Sequence, residues 1–405
     1  MHIGIAGCGI GGLAIATLLA QQGHRVQLFD QFISPVPVGS GLVIQPVGQA
    51  VLHALGVKSA ALAKGAPIRE MIGHENKRGR RVLNVQYSRS NTALFGLGIH
   101  RASLFEVLYQ AALKAGVDII PESRVTGTAL SKGKRLLELN AEVRTDLFDL
   151  VIDASGAGSI LTPLKSSPLH YGAIWGTVDW PAETALRYDI LSQQYQTAAV
   201  MIGVMPIGTL PGNTTRKAAV FWSLPQTKHK QWASAPLQKW KAQAINLWPA
   251  ITPFLNDIHS HNDMTMARYS HGTLNKPVQE CLAFIGDAAH CASPQLGQGA
   301  NMALLDAFAL AEAIGQLPLD SALLAYAKAR RNHVKLYQFF SWALTPMYQS
   351  DSKILPFLRD WLLAPATFVP PVPWILGKLI CGDLISPVKR VNLSGVDNGL
   401  RARDN

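Results

Sequence analysis

Cysteine is scarce: four residues (Cys8, Cys281, Cys291, Cys381) in a chain of 405, none in C-x-x-C spacing, which argues against a zinc site. Charge is sparse as well, at 16% of residues against the roughly 25% usual for soluble chains. With 48% hydrophobic residues, that balance excludes intrinsic disorder. No collagen period, heptad array or solenoid repeat is present, so fibrous and repeat architectures fall away. Long apolar runs are missing too. The uncharged stretch worth testing, Trp361 to Gly377, has 17 residues and contains Pro365, Pro370, Pro371 and Pro373. A spanning helix needs about 20 apolar residues and few breakers. Strand-like sequence begins at His2, leaving no room for a charged and then apolar leader. The expectation is a cytoplasmic chain without a secretory signal.

What is present suits two or three structural units. Lysine and arginine outnumber aspartate and glutamate by 37 to 26, a net +11 that favours anionic partners such as phosphorylated cofactors. The basic residues are scattered in short pairs, Arg80-Arg81, Arg330-Arg331 and Lys389-Arg390. They lack the stripe with interleaved aromatics of a nucleic-acid face, and no nucleic-acid partner is expected.

His2 to Gly7 reads as a buried strand, Ile10 to Gln22 as a helix closed by Gly23, and Arg25 to Phe29 as a second strand ending at Asp30. That is a βαβ unit. Its turn, Gly7-Cys8-Gly9-Ile10-Gly11-Gly12, fits G-x-G-x-x-G where a dinucleotide fingerprint belongs. The first glycine permits the tight turn, the second lets backbone approach a pyrophosphate, and the third lets helix and strand pack closely. Asp30 stands at the distance suited to ribose hydroxyls. NAD and FAD share this signature, so the adenine dinucleotide stays open at this point.

Further along, Arg101 to Ala115 predicts a helix, Val117 to Ile120 a strand, and Leu150 to Ala154 a buried strand ending at Ser155-Gly156. From Leu169 to Ala267 the texture becomes strand-rich, with runs at Tyr171–Val178, Leu186–Leu191, Ala198–Met205 and Ala218–Leu224. Cys281 to Ile285 predicts a strand, Ala300 to Ile314 a helix, and Leu319 to Leu344 further helices. Between them, Phe284 to Asn301 reads F-I-G-D-A-A-H-C-A-S-P-Q-L-G-Q-G-A-N. Here an aspartate at a strand's carboxyl end can bind a polyol, and a glycine-bearing helix start can face a developing anion.

With these motifs the sequence resembles the single-component FAD-dependent monooxygenases of the para-hydroxybenzoate hydroxylase type, the aromatic hydroxylase family. The resemblance covers the fingerprint, the Arg101 helix, the strand at Ser155-Gly156 and the segment from Gly286-Asp287-Ala288-Ala289-His290 to Asp306. It implies an α/β fold: a Rossmann-like FAD-binding domain, an inserted antiparallel-sheet substrate domain and C-terminal helices. The expected division is an FAD-binding domain over 1–168, which admits a substrate-domain excursion near 67–98. A substrate domain over 169–267 follows, then a second FAD-binding part over 268–318, a helical region over 319–388 and a tail over 389–405.

The resemblance assigns Gly7, Gly9, Gly11 and Gly12 to the FAD pyrophosphate and Asp30 to the adenosine ribose. Arg101 is assigned to the phosphate or ribityl region, Val125 to the adenine through its backbone, and Asp287 to the ribityl chain. Ser40 and Gly41, after Gly39, would pass near the flavin. Gly297, Gly299, Ala300 and Asn301 would lie along the pyrimidine edge of the ring, with Pro294 by the oxygen-reacting face. Serine stands at position 155 where the family usually has aspartate, a departure that bears on how the nicotinamide docks.

The implied activity is hydroxylation of an aromatic, polycyclic or quinone-like small molecule through a flavin C4a-hydroperoxide, with O2 and NADPH or NADH as co-substrates. Epoxidation, flavin halogenation and non-catalytic FAD binding are the alternatives; halogenation is disfavoured because no Trp-x-Trp-x-Ile-Pro segment occurs. His290 is expected to order its loop through a backbone hydrogen bond. His259, His261 and His271 near Asp263 read as loop histidines, not metal ligands. Trp175, Trp222, Tyr188 and Tyr195 read as sheet core. The aromatic C-terminal region with Lys353, Arg359 and Lys378 reads first as core packing or dimer contact, and it admits peripheral membrane contact for a lipophilic substrate. Monomer and homodimer both remain open.

Overall fold

A computed structural model describes residues 1–34, 40–89 and 91–388. Gly39 and the 389–405 tail lie outside the described residues. The chain begins with strand His2–Ala6, helix Ile10–Gln21 and strand Arg25–Phe29. All of Ile10 to Leu19 is buried. A helix apolar all round needs cover on more than one side, and helices Arg101–Lys114 and Gly299–Gln316 provide it.

The sheet beneath is six-stranded, in the order Val278–Gln279, Leu282–Phe284, Leu150–Asp153, His2–Ala6, Arg25–Phe29, Asp118–Ile120. Four of its five pairings are parallel, and the one at the Val278–Gln279 edge is antiparallel. The chain leaves His2–Ala6 toward one side and later returns to its other side at Leu150–Asp153. The fingerprint turn therefore sits at a topological switch point, where α/β sheets open a crevice.

A second, seven-stranded sheet runs Met264–Ala267, Tyr171–Asp179, Lys217–Pro225, Val200–Pro206, Ile190–Gln196, Glu70–Glu75, Arg81–Gln86. It is antiparallel except where Ile190–Gln196 pairs in parallel with Glu70–Glu75, so residues from the 67–98 segment supply two of its strands. One face packs against helix Leu237–Leu247 and the turn Pro249–Leu255 through Ile174, Val220 and Phe254. The other meets the C-terminal helices through Met201, Phe221, Tyr337 and Leu379. Cover on both faces explains why Ala218 to Pro225 is buried without alternation.

Two expectations shift. The run at Leu186–Leu191 becomes a strand only from Ile190, which continues through the polar Ser192-Gln193-Gln194 to Gln196. Before it, the Arg187 guanidinium clamps both Asp189 carboxylate oxygens at 3.0 and 2.7 Å and holds a turn. The helices expected over Leu319 to Leu344 are a single 30-residue helix, Leu319–Tyr348. Beyond it the chain breaks into short turns and helices, ending with Val372–Cys381. Among the described residues no helix is long and apolar enough to cross a membrane.

Candidate active site

One cavity of about 840 Å3 runs from the fingerprint turn to the face of the seven-stranded sheet. At its narrow end Gly7 has φ +99°, and a Cβ there would stand 2.6 Å from the Ser155 Cα. Gly12 carries no space for a side chain at all, since a Cβ would fall 1.9 Å from the Gly7 carbonyl oxygen. Gly12 thus lets the helix close on the turn, and it is not part of the cavity wall. Gly9 differs: its Cβ would meet no protein atom within 4 Å, yet the residue lines the cavity. Protein packing does not require glycine there, and its bare backbone leaves room for close approach from the cavity.

Two helix starts face the same space. Neither Ile10–Gln21 nor Gly299–Gln316 has a side-chain cap or an acidic residue in its first turn, and Ile10, Gly11, Gly299 and Ala300 line the wall. Their free N–H groups and partial positive charge are suited to phosphates and to an anionic ring edge. Asp30 lines the wall with one carboxylate oxygen held by the Cys8 amide at 2.6 Å. Burial, then Asp30, push the Cys8 thiol up to about 12, which disfavours the thiolate.

The remaining predicted residues gather from distant segments: Ser40, Gly41, Arg101, Val125, Asp287, Pro294 and Gly297 all line the cavity. The Arg101 amide donates to the Ser40 carbonyl at 3.1 Å, which ties two of these segments together. Asp287 is exposed to the cavity; desolvation by the surrounding protein raises its carboxyl, against the opposing pull of His290 and Arg101. Asn301 is the exception. Wholly buried, it accepts from the Gln45 amide at 2.8 Å and donates to Val43 and Gly297 carbonyls at 3.1 and 2.9 Å, bracing the wall from behind.

The serine at position 155 changes the chemistry of its corner. Its hydroxyl and amide both donate to one Asp153 oxygen, and the Ser159 hydroxyl donates to the other at 2.6 Å. Asp153 is fully buried, so burial raises its pKa while the two serines counter that rise. With its proton directed inward, Ser155 offers the cavity lone pairs.

Behind the wall lies a charged network that the sequence reading did not identify. Asp306 accepts from the Gly286 amide at 2.9 Å, pairs with His290 Nε2 at 2.6 Å and with Arg330 Nε at 2.7 Å. His290 therefore meets a carboxylate where a backbone partner was expected, because helix Gly299–Gln316 presents Asp306 directly under the Gly286–Ala288 turn. Burial alone would raise Asp306, but His290 and Arg330 outweigh it and hold it at about 2. Arg330 continues to the Pro387 carbonyl at 2.6 Å, and His333 Nε2 sits 2.8 Å from the Gly382 carbonyl. Asp263 caps its own turn by accepting from the His259 and Ser260 amides, while His261 packs edge-on against Trp232.

The wide end of the cavity is apolar. Met71, Leu83, Leu191, Met201, Met205 and Phe221 form much of its wall. Trp175 and Tyr195, read from sequence as core, line it too; Trp222 and Tyr188 do not. Trp175 stacks on Phe221 at 4.4 Å and donates to the Tyr269 hydroxyl at 3.0 Å. Gln349 also lines this cavity, 5% exposed, with a side-chain oxygen that has no protein partner.

A dinucleotide-type glycine turn that opens into an aromatic, apolar chamber fits a flavin-dependent oxidoreductase. The comparisons agree. Residues 1–339 match the family described as FAD binding domain, so the chain belongs to that family. Among curated proteins it is 24% identical to an aurachin C monooxygenase/isomerase of Stigmatella aurantiaca, over 89% of this chain and 92% of that one. It is 27% identical to a probable 2-heptyl-3-hydroxy-4(1H)-quinolone synthase of Rhodococcus erythropolis, over 84% and 86%. Among solved structures, Klebsiella pneumoniae HpxO complexed with FAD superposes with TM-score 0.78 at 18% identity, covering 95% of this chain and 100% of that one. PqsL of P. aeruginosa in complex with 2-aminobenzoylacetate gives 0.76 at 20%, covering 86% and 96%. These likenesses establish the fold. The chain is an FAD-dependent monooxygenase of the aromatic hydroxylase family.

Proposed function

We propose that this enzyme uses NAD(P)H and O2 to hydroxylate a lipophilic bicyclic aromatic, of the 2-alkyl-4(1H)-quinolone kind. The balance is substrate C–H, O2, NAD(P)H and a proton giving substrate C–OH, water and NAD(P)+. The observation that carries the reading is the single cavity that joins the dinucleotide cradle to the aromatic chamber. Two curated relatives are named for aurachin C and for a heptyl-hydroxyquinolone, which supports a substrate of that chemistry.

Bound FAD supplies hydride acceptance and oxygen activation. The protein's own residues bind, orient and exclude water. Gly9 and Gly11 with the helix start at Ile10 would hold the pyrophosphate, Asp30 the ribose, and Asp287 the polyol chain. The start of helix Gly299–Gln316 would favour negative charge at the ring edge. Trp175 and Phe221 offer a flat apolar platform for a ring, and Met71, Leu191, Met201 and Met205 can adapt to an alkyl chain. Their apolar wall keeps water from the reacting atoms. The unpartnered Gln349 oxygen would accept a ring N–H, the group a quinolone presents.

The test is NAD(P)H oxidation by FAD-loaded protein with and without 2-heptyl-4(1H)-quinolone, followed by mass spectrometry. Substrate-stimulated oxidation with a product heavier by one oxygen is expected. Oxidation that no bicyclic aromatic accelerates would overturn the substrate assignment.

A further inference from the structure

The geometry points to a docking surface for an anionic lipid bilayer, formed by residues 354–374 and the basic hairpin beside them. Between Ile354 and Trp374 nine large apolar side chains are exposed, among them Phe357, Trp361, Leu362, Phe368, Val369 and Trp374. Every exposed phenylalanine and tryptophan among the described residues lies between Phe339 and Trp374. Monomeric proteins rarely leave such rings clustered in water unless something covers them.

The neighbouring charges indicate what covers them. The hairpin formed by strands Glu70–Glu75 and Arg81–Gln86 lies alongside, and its turn and flanks carry Lys77, Arg78, Arg80, Arg81 and Arg89. The Arg80 guanidinium stands 3.6 Å from the Trp361 ring centroid and that of Arg78 5.6 Å. The turn's carboxylate, Glu75, is buried and occupied by the amides of Lys77 and Arg78 at 2.8 and 2.6 Å. Arg89 edges a separate cavity of about 220 Å3 walled by Phe368, Pro370, Pro371, Pro373 and Trp374. Aromatic rings flanked by arginines suit the boundary between anionic headgroups and acyl chains. A second copy packed across a two-fold axis would instead bring two surfaces of the same positive charge into one interface, which disfavours self-association.

The surface also shares two elements with the wall of the reaction cavity. Helix Val372–Cys381 carries Trp374 at its outer end and Ile380 in the cavity wall, and strand Arg81–Gln86 places Leu83 there. A lipid-dissolved substrate would meet the enzyme beside its chamber. The inference rests on this surface alone and stands apart from the identity of the substrate.

The experiment is flotation of the full-length, FAD-loaded enzyme with vesicles of phosphatidylcholine alone or mixed equally with phosphatidylglycerol. Flotation with the mixed vesicles, weakened by salt and weaker still with phosphatidylcholine alone, is expected. The pair Arg78→Gln and Arg80→Gln should reduce binding about thirtyfold, from roughly fivefold per basic residue. Phe357→Ser, Trp361→Ser and Trp374→Ser together should abolish it, while flavin absorbance and turnover of detergent-dispersed substrate persist. Absence of flotation, or equal binding to both vesicles without salt sensitivity, would overturn the inference. So would a solution dimer that the triple variant converts to monomer.

Discussion

Replacing Asp306 with leucine tests the buried charge network behind the cofactor cradle. Asp306 and Arg330 side chains are 1% and 2% exposed, and the pair is 2.7 Å apart. Leucine fills the volume but strands the guanidinium. Breaking a buried pair from one side costs about 3–5 kcal/mol, and losing the acceptor for the Gly286 amide adds about 1–3 kcal/mol. The sum approaches the whole stability of a typical protein, roughly 5–15 kcal/mol. Arg330→Met should cost less, because Asp306 keeps His290 and the Gly286 amide. The double variant Asp306→Leu with Arg330→Met should be more stable than Asp306→Leu alone, since no buried cation remains. Urea unfolding of FAD-loaded protein, followed by circular dichroism, measures all three. Strict additivity of the two single changes, or a loss below about 1 kcal/mol for Asp306→Leu, would refute the reasoning.

Gly9→Ala should leave the urea stability of the FAD-free protein unchanged and weaken FAD binding at least about tenfold, whereas Gly12→Ala should damage the fold itself; equal effects on both properties would contradict the geometry. Burial, then Arg330, lower His333 to about 3, so it stays neutral when folded and protonates below about 6.5 once unfolded. Its contribution is therefore full above pH 6.5 and declines on acidification, by about 2 kcal/mol at pH 5. His333→Asn should flatten the fall in stability between pH 7 and pH 5 by about that amount, and an unchanged profile would sink the assignment. Gln349→Leu should raise KM for a 4(1H)-quinolone about tenfold with little change for its N-methyl analogue; parallel losses would remove Gln349 from substrate recognition.

The parts legible in the sequence were those where backbone demands a special residue. The fingerprint glycines, Asp30 at a strand end and the Gly286-Asp287 turn each solve a local geometric problem, so each leaves a local mark. Tyr171–Asp179 and Lys217–Pro225 were visible as apolar runs. Strand Ile190–Gln196 was cut short because Ser192, Gln193 and Gln194 are only half-buried and read as a loop. Gly12 and Asn301 belong to the motif yet act from behind the wall, a distinction that spacing does not carry. Asp306, Arg330 and His333 meet only through the packing of two helices. Their one linear signal was a charge inside apolar helix, as in Leu305-Asp306-Ala307-Phe308. Gln349, just past a helix end, left no signal.

The most direct test of the central account is a single-turnover experiment on purified enzyme with 2-heptyl-4(1H)-quinolone under 18O2. Flavin absorbance should bleach with NADPH or NADH and return on exposure to oxygen, and the product should carry one 18O atom. A flavin that is reduced and reoxidised while the quinolone gains no oxygen would contradict it, and a protein that binds no FAD would contradict the site itself.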